Sequence, residues 1–117
     1  MSSILEDVKK LLNVPEDETA FDADIVIQIN AVFLVLNQLG IGPENVYQIG
    51  NDGSEVWEDF WPDMGDYEAV KMYVYLKVRK SFDPPSSSFA VNAMDEILKE
   101  YEWRLRLQAE RRVPDGG

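Results

Sequence analysis

The sequence predicts an all-α fold, a compact bundle of about four helices plus a short Trp-containing helix, with an irregular or short extended loop around residues 41–53. Three observations carry this reading. Apolar residues recur at three- and four-residue intervals in each long segment, the spacing that lines one face of a helix. Proline or glycine stands at the expected boundaries, at Pro15, Gly40, Gly42, Pro62 and the Pro84-Pro85 pair, where helices end. The length of 117 residues suits one core that hides roughly two thirds of the surface exposed by the unfolded chain. Residues 1–112 are read as a single helical domain and 113–117 as a flexible C-terminal tail.

The first helix carries Ile4, Leu5, Val8, Leu11 and Leu12 after a cap at Ser2 or Ser3, and it should stop before Pro15. The acidic run Glu16-Asp17-Glu18 then leads into a second helix from about Ala20 to Leu39, closed by Gly40 and Gly42. This helix is apolar nearly all round: Ile25, Ile29, Val32, Leu36 and Leu39 form one stripe, and Ile27, Ala31 and Leu34 another on the opposite side. Ile41 to Gly53 has loop chemistry, with a short extended piece compatible with Val46 to Ile49, and is expected to project from the bundle. Ser54 to Trp61 reads as a short capped helix that plugs the core with Trp57, Phe60 and Trp61 before Pro62 ends it.

The helix from about Asp66 to Lys80 is again two-faced. Tyr67, Val70, Val74 and Val78 share one side, and Ala69, Met72, Tyr73 and Leu76 the reverse. A domain of this size should not bury both sides of two helices. The corner Phe82-Asp83-Pro84-Pro85 stops that helix, because each proline fixes its own φ and Asp83 is pushed out of the helical region. Ser86, Ser87 or Ser88 caps the last helix, about Ser88 to Arg112, while Phe82 and Phe89 pin the corner to the core. In the last helix Ala90, Met94, Ile97, Leu98, Tyr101 and Leu105 form the core stripe. Trp103 and Leu107 fall opposite, among Glu96, Glu100 and Glu110, so Trp103 should be exposed in a monomer beside Arg104 and Arg106. The candidate subunit or partner interface is therefore Ile27, Leu34, Met72, Tyr73, Leu76, Trp103, Arg104, Arg106 and Leu107.

Composition removes whole classes of chemistry. There is no cysteine and no histidine, hence no disulfide framework, thiol nucleophile, imidazole base or ordinary zinc site. The carboxylate pairs Asp22/Asp24, Glu58/Asp59 and Asp95/Glu96 suit solvated helix starts. Asn51-Asp52-Gly53 fails as a calcium loop because Gln48 holds the position of the first ligand. No phosphate loop or nucleophile elbow occurs. No catalytic residue, cofactor or metal is assigned, and the chain is not read as an enzyme. Neither a signal-type N-terminus nor an apolar run long enough for a bilayer is present, so a soluble intracellular protein with no membrane partner is expected.

The net charge of −11 hides an asymmetry. Residues 1–70 hold 15 acidic residues against 2 lysines, a charge of −13, whereas residues 71–117 hold 9 basic against 7 acidic, a charge of +2. Such acidity argues against a nucleic-acid reader. Unlike halves favour head-to-tail contacts between copies, although a plain solvated acidic surface satisfies the same numbers.

The order of these segments resembles the phage head-tail connector, or adaptor, family. The resemblance rests on Gln38-Leu39-Gly40-Ile41-Gly42 closing a long apolar helix, the Trp57 segment, the Tyr-rich helix, Phe82-Asp83-Pro84-Pro85 and Glu102-Trp103-Arg104, and spans about residues 4–107. It implies a ring-forming structural virion component that sits beneath the portal protein and joins the capsid to a stopper or tail completion protein. It also implies a channel through which DNA passes without sequence-specific binding, assembly in the host cytoplasm, and a ring that forms only on its template. Two other classes fit the bare composition, an acidic helical decoy that mimics DNA and a dimeric regulator or toxin-neutralising protein.

Overall fold

The computed structural model describes residues 3–62 and 64–112. The alternative cap Ser2 and the expected tail 113–117 lie outside the described residues. Five helices follow in order, α1 (Ile4–Leu11), α2 (Asp22–Gln38), α3 (Trp57–Phe60), α4 (Glu68–Phe82) and α5 (Ser88–Arg112). Among the described residues there is no strand, so the segment around Val46 to Ile49 is irregular.

Local chemistry sets most of the helix ends. Ser3 caps α1 by accepting a hydrogen bond from the Glu6 amide at 3.0 Å. The other end closes with Asn13 in the left-handed region at φ 62°. The Val14 amide donates back to Lys9 O at 2.9 Å and the Asn13 amide to Lys10 O at 3.1 Å, which satisfies carbonyls the helix leaves open. The same device ends α2: Gly40 stands at φ 78°, the Ile41 amide donates to Leu36 O at 2.9 Å, and Ile41 and Leu36 are both buried. Asp59 accepts from the Val56 amide at 2.9 Å to start α3, so the short helix begins at Trp57, and Ser54 bonds to Asp52 instead. Asp83 leaves the helix at φ −149°, ψ 70°, outside the α region that a following proline disfavours. Ser87 Oγ then accepts from the Ala90 amide at 3.1 Å.

The helix α4 lies at the centre, packed against α1, α2 and α5. Its Lys71 pairs with Asp7 of α1, and its Phe82 ring meets the Phe21 ring beside α2 edge-on at 5.7 Å. Its Tyr73 and Lys80 reach Glu102 and Asp95 of α5. At about 100° per residue these two sets point in opposite directions from the helix axis. So α1 and α2 cover one side of α4 and α5 covers the other. The molecule is correspondingly flat, 46 × 35 × 21 Å.

The core runs through Ile4, Val8, Ile25, Ile29, Phe33, Leu36, Val70, Tyr73, Val74 and Val78, and α5 adds Leu105. Trp57, Phe60 and Trp61 are buried as a plug, in a cluster where Phe33 lies 4.8 Å from Phe60 and Tyr47 meets Phe33 at 5.2 Å. Leu11, expected in the α1 stripe, is exposed. The loop 41–53 does not project; it is stitched to the body. The Asn30 carboxamide accepts from the Ile49 amide at 2.8 Å and donates to its carbonyl at 3.0 Å, while the Asn37 carboxamide donates to Glu44 O at 3.0 Å. The Ile4 amide donates to Glu55 O at 2.9 Å, and Trp57 Nε1 donates to Asp7 at 2.7 Å.

One glycine makes this closure possible. Gly42 stands at φ 97°, and a Cβ there would lie 2.6 Å from the Phe60 ring. Gly42→Ala should therefore cost about 2–3 kcal/mol through backbone strain and displacement of Phe60, read as a lower urea midpoint. Gly40→Ala, where a Cβ meets nothing within 4 Å, should cost only about 1 kcal/mol.

Candidate assembly surface

Besides Leu11 of α1, the helices α2 and α5 carry apolar residues that the protomer does not cover. On α2 the buried residues Ile25, Val26, Ile29, Val32, Phe33 and Leu36 face inward, and Ile27, Ala31 and Leu34 stand on the antipodal side. Ile27 is 63% exposed. On α5, Met94, Leu98 and Leu105 face α4, Phe89, Trp103 and the half-buried Leu107 lie on the outer side, and the exposed Ile97 stands at the edge between the two. Phe89, Glu96 and Trp103 recur at seven-residue steps, and such steps hold one face of a helix over several turns. Trp103 is 61% exposed, which agrees with its expected position. Arg104 Nη2 donates to Glu100 at 2.7 Å one turn back, and Arg106 is exposed beside Trp103.

The second face of α4 is different. Tyr73 is fully buried and Leu76 nearly so, with Met72 half-buried. The expectation that these three form a subunit contact is corrected for Tyr73 and Leu76: α5 covers that face within the protomer. Tyr73 Oη donates to the Glu102 carboxylate of α5 at 2.9 Å, and Lys80 pairs with Asp95. The packing decides the matter: among the described residues α4 alone packs against all of α1, α2 and α5.

The corner also differs from its expected form. Phe82 is half-buried against Phe21, whereas Phe89 is 83% exposed and pins nothing. Asp83 and Pro84 are exposed and Pro85 half-buried. Ile97, expected in the core stripe, is also exposed, since it sits at the edge of the α5 face that meets α4. Phe89, Ile97 and Phe21 thus join the uncovered apolar set. The spacing of Phe89 and Leu107, eighteen residues and five full helical turns apart, was the signal that they share Trp103's side.

The carboxylates have structural duties. Asp22 pairs with Lys9 at 2.8 Å, Asp59 caps α3, and Asp95 pairs with Lys80. Lys9 is itself buried, and its ammonium also donates to Glu16 O at 3.1 Å and Glu18 O at 2.8 Å. It ties the acidic loop to α1.

Two phenols resist ionisation. Burial, followed by the bond to Glu102, holds Tyr73 well above its ordinary value. Burial and the Asp59 and Glu55 carboxylates push Tyr47 up to about 12. In the unfolded chain both ionise near pH 10, so the folded state binds more protons above that pH and stability must fall there. The stabilisation is fully present below pH 10 and is lost as pH rises through the folded values. Each phenol adds a slope of at most about 1.4 kcal/mol per pH unit between its unfolded and folded values, over a shorter span for the less buried Tyr47. Urea titrations from pH 9 to 12 should show this decline, and Tyr73→Phe should lessen it, leaving the part due to Tyr47.

Among the described residues no helix is long and apolar enough to cross a membrane. A family model described as phage connector protein matches residues 4–112. No curated protein and no solved structure gives a significant match.

Proposed function

This chain belongs to the phage connector protein family, a family of structural virion proteins and not of enzymes, and on that premise we propose that it works as a head-tail adaptor. Copies associate side by side in a ring beneath the portal, and the far end of the ring receives a stopper or tail completion protein. The family match over nearly the whole chain carries this reading. The uncovered faces of α2 and α5 support it: each is an apolar strip on a rigid helix, the kind of surface that marks a contact site. Because the two strips belong to different helices, contacts between unlike faces are favoured, and such contacts form a ring where the rotation from copy to copy closes.

The function is positional. A ring of chains with net charge −11 each offers DNA phosphates no counterion-releasing contacts, so a duplex slides through the channel without adhering. The acidic first 70 residues also fit a DNA-mimicking inhibitor. Sedimentation of the purified chain with portal particles separates the two readings. An adaptor pellets with portal, and the resulting complex then retains the stopper. A chain that ignores portal but binds a basic DNA-cutting enzyme would overturn the proposal.

A further inference from the structure

The start of α2 and the end of α4 leave a groove of about 750 Å³ between them. Its apolar lining includes Phe21, Ile27 and Phe82, and its acidic residues are Glu18, Asp24 and Asp83. Among the described residues no lysine or arginine lines it. The volume falls within the range that accommodates several side chains of a ligand, and the apolar floor with a carboxylate rim calls for an occupant that is aromatic or aliphatic at its centre and cationic at its edge.

The C-terminal half of α5 has that chemistry. Trp103 and Leu107 lie along its outer side, and from 103 to 111 the helix carries Arg104, Arg106 and Arg111 against the single acid Glu110. A large aromatic flanked by arginines is the composition of contact hot spots. The protomer cannot make this contact with itself, because α2 and α5 lie on opposite sides of α4. A second copy can.

We infer that the Trp103–Arg111 stretch of α5 in one copy docks in the Phe21–Ile27–Phe82 groove of the next. The inference rests on the connector reading for the existence of a ring, and adds which two faces meet. The contact is heterologous: each copy offers its groove to one neighbour and its helix to the other, which leaves both used in a closed ring. Charge complementarity between the rim and the arginines sets the register and excludes groove-to-groove pairing.

The absence of native cysteine permits a clean test. Full-length Ile27→Cys and Leu107→Cys variants are mixed, both as concentrated protein and as rings assembled on portal, and then mildly oxidised. The expected product is a disulfide joining one copy of each variant, with neither variant forming a dimer alone. Symmetric Leu107→Cys or Ile27→Cys dimers as the main product would overturn the inference in favour of a two-fold contact. Rings that form without the mixed disulfide would also overturn it while leaving the connector reading intact. If the unaltered chain forms no ring, the connector reading fails, and the mixed disulfide in concentrated protein still decides the pairing.

A charge reversal provides an independent readout that needs no crosslink. Asp24→Lys should abolish association of that variant with itself, because its groove then repels the arginines of every copy, and mixing it with a copy carrying Arg104→Glu and Arg111→Glu, which alone also fails to associate, should restore alternating assembly. Loss without restoration would count against this pair of faces. Circular dichroism of each variant confirms that the exposed substitutions leave the helices formed.

Discussion

Replacing Trp103 by alanine should leave the protomer as stable as before, within about 0.5 kcal/mol, and weaken association between copies by at least about 2 kcal/mol, roughly thirtyfold. The two numbers differ because of where the indole sits. At 61% exposure it contributes little to the core, and α5 stays anchored through Met94, Leu98, Leu105 and the Tyr73–Glu102 bond. In an assembly the same ring would be desolvated against a partner, and truncation would then remove its whole contact area. Urea unfolding gives the first quantity and the concentration needed for ring formation on portal gives the second. Equal losses in both would show that Trp103 belongs to the fold. A control at Ile97, also exposed on α5, should show a smaller association effect, because it lies on the flank of the outer side.

The largest loss of stability is expected at Lys9. Its ammonium is buried, with three oxygen partners between 2.8 and 3.1 Å: Asp22, Glu16 O and Glu18 O. Two carbonyls accept its hydrogen bonds and the Asp22 carboxylate pairs with its charge, so the charge is compensated despite its burial. Lys9→Met keeps the length of the stem but removes the charge partner of Asp22 and the donor of two carbonyls, and should cost about 3–5 kcal/mol. Asp22→Asn should cost less, because the carbonyl partners remain. The measurement is the urea midpoint of each variant, together with proteolysis of the loop between α1 and α2. That loop should become the first cleavage site in Lys9→Met, since its hold on α1 is lost.

Helix ends were legible in the sequence because the chemistry that makes them is local. Ser3, Pro15, Gly40, the Pro84-Pro85 pair and Ser87 each act on backbone groups within a few residues, and each sits where the structure uses it. The inward plug of Trp57, Phe60 and Trp61 was legible from bulk alone. Tyr73 and Leu76 were not, because a helical wheel reports that a face is apolar without saying whether the same chain or another copy covers it. Only the return of α5 across α4 decides that. The same blindness applied to Phe89, whose direction depends on how the corner turns the next helix. Lys9 was missed for a related reason, since its burial depends on the path of a loop. One signal did exist: Lys9 and Lys10 are the only basic residues among fifteen acidic ones in the first seventy, so a buried lysine there had abundant partners.

The uncovered strips on α2 and α5 were legible in outline, and the structure narrowed them. It removed the α4 face from the surface and added Phe21, Phe89 and Ile97. What remains is a flat protomer with unlike apolar faces on two different helices, a form suited to closing a ring.

Electron micrographs of the purified chain mixed with portal test that conclusion most directly. The expected image is a second ring stacked coaxially on the portal, open at its centre, which Trp103→Ala fails to form at the same concentration. Portal particles that remain bare, with the unaltered chain still monomeric at concentrations well above those of the portal, would contradict it.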